Sequence, residues 1–370
     1  MKIPPFFKKR SWANLDALED RETTSGMRVS DADVLGIPAV FACIRVLSEA
    51  IAALPLVTYE RMENEDRERA RGFSLYRILH DSPNPLMTSF ELRELLVGHL
   101  CLRGNAYCYV ERDGGEVVAL WPLHPDRVTV EVVGKEVVYR HQTDGAERTY
   151  STEDILHIKG LSDDGIVGLS PLALLRDTFG HSLAISSYSA NFFKNDGTPG
   201  GILSTPGKLS VESFANLRES WKKGYQGHGN KHKTAILDND LKWQSIGITP
   251  EDSQMIESQK FSVVEIARVF RVPLNLIMDY ERSTYSNVTE QNRSFLTHTL
   301  QPWLDRIEQA MAKALLTEQE KEKYFIEHLT AGFLRADTKS RYEAYKIALE
   351  AGFLTIDEVR QLENMNTIQK

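Results

Sequence analysis

The feature that most constrains this chain is a pair of helical patterns separated by a proline and a polar loop. The pattern VVEIARVF ends at Val272-Pro273, because proline disfavours helical backbone in the residue before it and has no N–H to donate. The polar stretch DYERSTYSNV follows, and Asn287 with Glu290 then supplies an N-cap and its partner for a second helix. The sequence therefore predicts two helices joined by a loop with sharp boundaries at both ends.

The second helix is predicted to be long and to carry one buried stripe. Its apolar residues recur at spacings of three and four, as on one face of an α-helix. They are Phe295, Leu296, Leu300, Trp303, Leu304, Ile307, Met311 and Leu315. Pro302 lies inside the pattern and removes a backbone hydrogen bond, so we expect a kink near His298 to Gln301. An ordinary packed helix preceded by a surface loop fits the same pattern.

The composition argues against several classes of protein. The chain has 370 residues, of which 42% are hydrophobic, and no apolar run approaches the length of about 18 to 20 residues that a membrane-spanning helix needs. The opening MKIPPFFKKRSW becomes charged too early for a secretion signal, which predicts a cytoplasmic protein. The net charge of −8 argues against a surface that grips nucleic acid throughout, since such affinity depends on lysine and arginine displacing phosphate counterions.

No motif predicts an enzyme or a cofactor. Cys43, Cys101 and Cys108 lie in apolar patterns where cysteine acts as a small hydrophobe, so neither a disulfide nor a zinc site is expected. The glycines of GYQGHGNKHK are not followed by the Lys-Ser or Lys-Thr pair of a phosphate-binding loop. His228 and His232 lack the glutamate of a metalloprotease helix, and GxSxG is absent. We therefore predict no catalytic residue, no cofactor and no bound metal.

The strongest alternative from another class is a metal-dependent phosphodiesterase. It would be built around His157, Asp163, Asp164 and His181, the best cluster of acids and histidines in the chain. A Ser/Asp/Gly loop that joins a strand to a helix explains both aspartates without a metal. The sequence thus favours a structural component.

Helical and strand patterns alternate along the first half of the chain, which predicts an α+β fold. The predicted elements are a helix over Ile37–Ala53, a strand over Leu56–Arg61, a charged hairpin tip over Glu60–Arg71 and a helix capped by Ser89 that ends near Leu102. From Ala106 to Ile158 the pattern changes to period two, with glycine turns between runs rich in Val, Tyr and Thr. We expect an antiparallel β meander closed by DILHIKG.

The second half encloses a small α/β unit between two helices. The first helix opens at Ser170-Pro171 and runs to Lys194, and the second starts at Thr249-Pro250. Between them we predict a strand over Gly201–Ser204, a helix capped by Ser210 that ends at Tyr225, and strands from Thr234 to Ile246. Two short helices end the chain, the first stopped by Gly352 and the second opened by a capping box of Thr355 and Glu358.

Four segments together resemble portal proteins of tailed bacteriophages of the siphophage type. They are RGNAYCYVERDGGEVVALWPLHPDRVTV, DILHIKGLSDDGIVGLSPL, FFKNDGTPGGIL and RVPLNLIMDYERSTYSNVTEQNRSFLTHTLQPWLDRIE. Their order is that of the family, and the similarity extends from about Val29 to Thr367. Any one of the segments is a weak signal, whereas four in order over most of the chain are specific.

The resemblance implies an α+β portal-like subunit with an α/β wing, paired stem helices, a small α/β clip, a kinked tunnel helix and a short helical crown. The implied boundaries are an N-terminal arm at 1–30, the wing at 31–171, a stem helix at 172–196, the clip at 197–248, a stem helix at 249–278, the tunnel loop at 279–287, the tunnel helix and wing return at 288–335, and the crown at 336–370. The crown is short, since the chain ends at Lys370 soon after the second helix.

The implied function is that of a ring subunit of a viral capsid portal, or head–tail connector, through which double-stranded DNA is packaged and ejected. The implied partners are further copies of the chain, commonly twelve in all, the large terminase subunit, major capsid and scaffold proteins, a head-completion or adaptor protein, and DNA contacted without sequence specificity. No membrane is involved, and the location is the capsid vertex of the virion after assembly in the host bacterial cytoplasm. A portal-like ring of a domesticated prophage or a gene transfer agent fits equally well.

Two groups of residues become candidate sites through the resemblance. Those expected to face DNA in the tunnel loop are Tyr280, Arg282, Ser283, Thr284 and Tyr285. Those expected to bind partners at the clip are Trp221, Lys222, Lys223 and Tyr225, because aromatic and cationic anchors dominate interfaces. A polar surface loop and a clip core containing Trp221 are the plain alternatives. Glu281 beside Arg282 nearly cancels the charge of the loop.

Overall fold

A computed structural model describes residues 22–63, 66–194, 201–225, 242–245, 250–280, 291, 293–330, 338–363 and 368. They combine helices with antiparallel sheets, which confirms the predicted α+β class. The chain divides into two compact units, one formed by Ala42–Pro171 with Phe270–Lys370 and the other by Leu172–Val269 with the described residues up to Phe41. None of the helices in these described ranges is long and apolar enough to cross a membrane.

Most of the helices begin and end close to where caps, prolines and glycines predict. In chain order they are α1 (Asp31–Leu35), α2 (Pro38–Ala52), α3 (Ser74–His80), α4 (Ser89–Arg103), α5 (Pro171–Leu174), α6 (Arg176–Lys194), α7 (Val211–Tyr225), α8 (Pro250–Phe270), α9 (Gln301–Leu315), α10 (Glu318–Lys323), α11 (Thr338–Glu350) and α12 (Ile356–Leu362). Short 3₁₀ turns cover Pro125–Arg127 and Leu274–Ile277, and a π-helix covers Phe295–Leu300.

The strands form small antiparallel sheets. In chain order they are β1 (Leu56–Arg61), β2 (Arg67–Arg69), β3 (Asn105–Asp113), β4 (Glu116–Leu123), β5 (Val128–Val133), β6 (Glu136–Thr143), β7 (Ala146–Tyr150), β8 (Ile155–Lys159), β9 (Gly201–Ser204), β10 (Lys242–Ser245) and β11 (Tyr324–His328). The first unit holds the sheets β11-β1-β2, β4-β3-β8 and β5-β6-β7, and the second holds the pair β9-β10.

The predicted meander divides into two sheets. Strand β8 does not pair with its predecessor β7 but returns to β3, with Ala106 opposite Ile158. The physical reason is burial, because the first half of β3 is buried and takes a partner on each side, β4 and β8. The sheet β5-β6-β7 is largely exposed and packs on this layer through Val130 and Tyr139, which join a core cluster with Tyr107.

The charged run after β1 forms the predicted hairpin. Strand β2 pairs with β1, with Tyr59 opposite Arg69, and the Arg67 guanidinium lies over the Tyr59 ring. The other edge of β1 pairs with β11, with Leu56 opposite His328, and this pairing is not predicted by the sequence analysis. Five residues that follow a charged helix give too weak a periodic signal to identify a strand.

One predicted helix cap is wrong by a single residue. Helix α4 is capped by Thr88, whose hydroxyl accepts from the Glu91 amide at 3.3 Å while the Glu91 carboxylate accepts from the Thr88 amide at 2.7 Å. The predicted cap, Ser89, instead donates its hydroxyl to the His80 carbonyl at 2.6 Å. The reciprocal capping box makes Thr88 the better cap. The predicted box of Thr355 and Glu358 is confirmed.

The buried residues of the first unit include one cation. The Arg93 guanidinium donates to the Leu79 carbonyl at 3.1 Å and to the Ala52 carbonyl at 2.8 Å, at the ends of α3 and α2. Carbonyls in the last turn of a helix lack intrahelical partners and carry partial negative charge, so they suit a buried guanidinium. Cys43, Cys101 and Cys108 are buried, as predicted for small hydrophobic residues.

Candidate functional site

The segment that leads from α8 to the polar loop begins with a left-handed residue. Helix α8 ends at Phe270, Arg271 has a φ of 54°, and Val272-Pro273 follows, which confirms the predicted stop. A left-handed residue just after a helix ends it because its backbone turns away from the helix axis. Val272 is buried, so the chain is held in place where it leaves α8.

A short 3₁₀ turn then directs the chain towards solvent. The Met278 amide donates to the Asn275 carbonyl at 3.3 Å and the Asp279 amide donates to the Leu274 carbonyl at 3.0 Å. Met278 is left-handed, with a φ of 63°, and its side chain is 76% exposed. Tyr280 is 56% exposed and donates its hydroxyl to the Met278 sulfur at 3.2 Å. The chain therefore passes from a partly buried turn, in which Asn275 is buried, to the exposed Met278 and Tyr280.

Of the predicted DNA-facing residues, Tyr280 is the one that the structure describes. Arg282, Ser283, Thr284 and Tyr285 lie outside the described residues. The same holds for the predicted N-cap, Asn287 with Glu290.

The chain returns from the loop through a π-helix. The Gln301 amide donates to the Leu296 carbonyl five residues earlier, and Pro302 follows directly. Because proline has no N–H and clashes with the preceding turn, the regular α pattern is interrupted at the place where the sequence predicts a kink. The predicted stripe is confirmed, with its members buried except for half-buried Trp303.

One side chain joins the segments before and after the loop. The Thr299 hydroxyl, on the π-helix, donates to the Arg271 carbonyl at 2.8 Å, and Thr299 is 5% exposed. We call Arg271, the 3₁₀ turn Leu274–Ile277 and Thr299 the loop base. Sequence reasoning missed Thr299, because a threonine beside an apolar stripe has no distinct pattern.

Helix α9 is tied to two strands of the first unit. The Arg306 guanidinium donates to the carbonyls of Lys159 and Gly160, each at 2.6 Å, and burial lowers its pKa. Arginine remains charged near neutral pH even so, because its ordinary pKa is far above 7. On the β11 side, the Glu308 carboxylate accepts from the amide and from Nδ1 of His328, each at 2.8 Å.

The segment that Arg306 contacts belongs to a cluster of glycines around Asn105. The Asn105 side chain accepts from the Gly168 amide at 2.7 Å and donates to the Gly168 carbonyl at 2.8 Å, while the Gly160 amide donates to the Gly104 carbonyl at 2.7 Å. A Cβ atom on Gly104 would lie 1.9 Å from the Leu169 carbonyl oxygen. Two segments that carry the resemblance, RGNAYC and GLSDDGIVGL, thus meet in backbone contact.

The residues of the phosphodiesterase hypothesis do not form a metal site in the part of the chain that is described. His157 Nε2 donates to Asn105 at 3.0 Å, its Nδ1 faces the Tyr139 hydroxyl at 3.3 Å, and burial lowers its pKa to about 3. The Asp164 carboxylate accepts from the amides of Ile166 and Val167, as a loop residue does.

His181 belongs to the other unit than His157, Asp163 and Asp164. Across the described ranges, no group of three or more His, Cys, Asp and Glu residues is placed to hold a metal ion. Asp164 is therefore explained by the loop, as the plain alternative predicts.

The small α/β unit has the predicted strand and helix. Strand β9 and helix α7 have the predicted bounds, and Ser210 caps α7 by accepting from the Ser213 amide at 3.1 Å. Strand β10 pairs with β9, with Lys242 opposite Ser204. The candidate partner-binding residues all fall in the last turns of α7, and their side chains lie outside the described residues. They are Trp221, Lys222, Lys223 and Tyr225.

Sequence comparison relates the chain to proteins of phages. A profile of the family described as "Phage portal protein" matches residues 38–364. The portal protein of Enterobacteria phage HK97 is 37% identical over 341 residues, which cover 91% of this chain and 80% of that protein. The probable portal protein of Streptomyces phage phiC31 is 34% identical over 360 residues, which cover 93% of this chain and 78% of that protein.

Solved structures of similar fold include a chain of a gene transfer agent particle and a phage portal protein. A chain in the neck of a native gene transfer agent particle, computed with C12 symmetry, matches with a TM-score of 0.64 and 26% identity over 94% of both chains. A portal protein of the HK97 family from Corynebacterium diphtheriae matches in fold with a TM-score of 0.56 and 16% identity, over 84% of this chain and 99% of that one.

Proposed function

This chain belongs to the phage portal protein family, as a subunit of a capsid portal ring that is part of the virion, and from this premise we propose how it contacts DNA and its partners. The family is a structural one, and the proposal gives the chain no catalytic role. Assembly is proposed to take place in the host bacterial cytoplasm with scaffold and major capsid proteins.

The proposed ring has twelve copies. Identical subunits that join through unlike surfaces close into a ring when the rotation per subunit divides a full turn. The C12 symmetry used for the neck of a similar particle supports this number. Counting subunits in end-on class averages of the purified protein tests it, and a dominant symmetry other than twelvefold would overturn it.

The tunnel loop, 279–287, is proposed to face double-stranded DNA in the channel. The observation that carries this proposal is the loop base, where Asn275 and Thr299 are buried while Met278 and Tyr280 are exposed. DNA that moves through a channel must be confined without being held, which suits a few polar and cationic groups in an acidic protein. Tyr280, Arg282, Ser283, Thr284 and Tyr285 are proposed to make transient contacts with phosphate and sugar.

Two variants with a matched control test the loop. Arg282→Ala removes the cation of the loop, and deletion of 279–287 removes the proposed contacts altogether. Both variants are therefore expected to package shorter DNA or to retain less of it. Glu281→Gln removes the neighbouring negative charge and is expected to leave DNA packaging unchanged. The measurement is the length and amount of DNA in purified particles. Wild-type packaging by the deletion variant would overturn the proposal.

The end of α7 is proposed to bind the large terminase subunit and later the head-completion protein. Trp221, Lys222, Lys223 and Tyr225 combine aromatic and cationic groups on the last turns of one helix, and such residues dominate binding energy at interfaces. Lys222→Glu with Lys223→Glu is expected to weaken terminase capture by assembled rings at least tenfold, whereas Lys208→Glu, before the same helix, is expected to leave it unchanged. Equal terminase capture by the wild type, the double variant and Lys208→Glu would show that Lys222 and Lys223 do not belong to the interface.

A further inference from the structure

The segments before and after the tunnel loop are joined by one hydrogen bond, and we propose that Thr299 is a positioning residue that sets the position of Met278 to Tyr280, at the start of the loop. The inference rests on the proposed function of the loop, and it assigns a role to a residue that lies outside the loop. Thr299 is 5% exposed, so the role is exerted through the protein and not by contact with DNA.

The bond joins a helix end to the return segment. Arg271 is the first residue after α8 and is left-handed, so its carbonyl is among those that lack an intrahelical partner. The Thr299 hydroxyl donates to that carbonyl at 2.8 Å across 28 positions of sequence. This contact therefore joins the two segments of chain between which the loop lies.

The π-helix directs the hydroxyl towards Arg271. In an α-helix a threonine hydroxyl commonly bonds a carbonyl three or four residues earlier in its own helix. Here Thr299 lies in the π-helix Phe295–Leu300, and its recorded partner is the distant Arg271 carbonyl. Because an extra residue in a turn rotates the side chains by about 100° around the helix axis, the wider π turn changes the direction of the Thr299 hydroxyl.

The other end of this return segment is fixed to the wing. Arg306 holds α9 to β8 through two carbonyls at 2.6 Å, and Glu308 holds it to β11 through His328 at 2.8 Å. Because α9 is fixed at two points, the Thr299 contact sets the position of Arg271 and the 3₁₀ turn relative to α9. Loss of the hydroxyl removes this contact and leaves the contacts of Arg306 and Glu308 intact.

The test compares substitutions that separate the hydroxyl from the methyl group. Thr299→Val retains the shape and removes the hydroxyl, while Thr299→Ser retains the hydroxyl. We expect the Val variant to form rings of wild-type symmetry, with a melting temperature lowered by at most a few degrees, and to package several-fold less DNA, whereas the Ser variant behaves like wild type. Thr299→Ala and Thr299→Ser both lack the methyl group and differ only in the hydroxyl. Comparing these two variants measures the effect of the hydroxyl even where the Val variant does not assemble into rings.

A second readout reports the position of the loop without DNA. Tyr280→Cys introduces an exposed thiol, whereas Cys43, Cys101 and Cys108 are buried. We expect the rate of maleimide labelling at position 280 in empty rings to change several-fold with Thr299→Val and to remain unchanged with Thr299→Ser. Wild-type labelling and packaging in the Val variant would overturn the positioning role, as would equal defects in Val and Ser. Normal packaging after loop deletion refutes the loop's contact with DNA and leaves the labelling test intact.

Discussion

At the scale of single residues, close backbone approach decides where glycine is required. A Cβ on Gly168 would lie 2.0 Å from the Gly104 carbonyl oxygen, and a Cβ on Gly104 would lie 1.9 Å from that of Leu169. Backbone atoms cannot move aside as the end of a flexible side chain can. The contact between the start of β3 and the segment after β8 therefore depends on residues without side chains.

Replacing Gly168 by Ala tests this contact. We expect the substitution to lower the free energy of unfolding by about 3 kcal/mol or more, because the added methyl group overlaps a backbone oxygen. Gly98→Ala is the matched control, since its added Cβ meets no atom within 4 Å apart from its own helix backbone and chain neighbours, and alanine favours the helix interior by about 0.5–1 kcal/mol. Urea unfolding of both variants measures the difference, and equal midpoints would contradict the role of the contact.

Met278 is a second residue whose backbone conformation has a measurable effect. Its φ of 63° costs an L-residue about 1–2 kcal/mol, whereas glycine adopts it freely and loses about 0.5–1 kcal/mol in conformational entropy. We expect Met278→Gly to leave the melting temperature unchanged or slightly raised. Met278→Val, which is β-branched, is expected to lower it, and the opposite order would show that the left-handed turn is not retained.

At the scale of elements, buried polar side chains connect helices and strands. His157 on β8 lies between Asn105 on β3 and Tyr139 on β6, and Arg93 on α4 joins the ends of α2 and α3. Burial disfavours the charged form of both side chains, lowering the pKa of His157 to about 3 and that of Arg93 to about 10. His157 is therefore neutral and Arg93 charged at neutral pH.

The neutral His157 predicts how stability depends on pH. Its pKa is about 3 in the folded protein against the ordinary 6.5, so the unfolded chain binds a proton first as the pH falls. The contribution of His157 to stability is complete above pH 6.5 and is lost between about pH 6.5 and about pH 3, at about 1.4 kcal/mol per pH unit. His157→Gln is expected to flatten this dependence in urea unfolding between pH 7 and pH 4. An unchanged slope of unfolding free energy against pH in the Gln variant would contradict the role of His157.

The buried guanidinium of Arg93 predicts a graded loss. Arg93→Met leaves two helix-end carbonyls without a donor and is expected to cost about 2 kcal/mol or more. Arg93→Lys retains the charge without the forked geometry, so we expect an intermediate loss. Thermal unfolding measures both variants, and a Met variant as stable as wild type would show that the two carbonyls find other donors.

At the scale of the whole molecule, the portal family places many copies of this chain around one axis. We expect the purified protein to form closed rings with a central hole wide enough for a DNA duplex. End-on views in negative-stain electron microscopy measure this, and light scattering gives the mass of the particle. A protein that stays monomeric at micromolar concentrations would contradict the expectation.

Much of the fold is predictable because its signals are local. Val272-Pro273, the cap at Ser210 and the box of Thr355 and Glu358 each act within a few residues, and the elements they predict are present. The pairing of β8 with β3 and of β11 with β1 is not predictable in this way, since it depends on which distant strand supplies a buried partner.

Of the candidate site, the sequence by itself determined that a polar loop follows Pro273, that Tyr280 stands near its start and that a long helix interrupted near Pro302 carries the chain back. Only the tertiary structure decided that Thr299 closes the loop base and that Arg306 holds the helix to β8. The reason is physical. Proline and capping residues act on their own neighbours in the chain, whereas a hydroxyl or guanidinium finds its carbonyl only after distant segments have packed together.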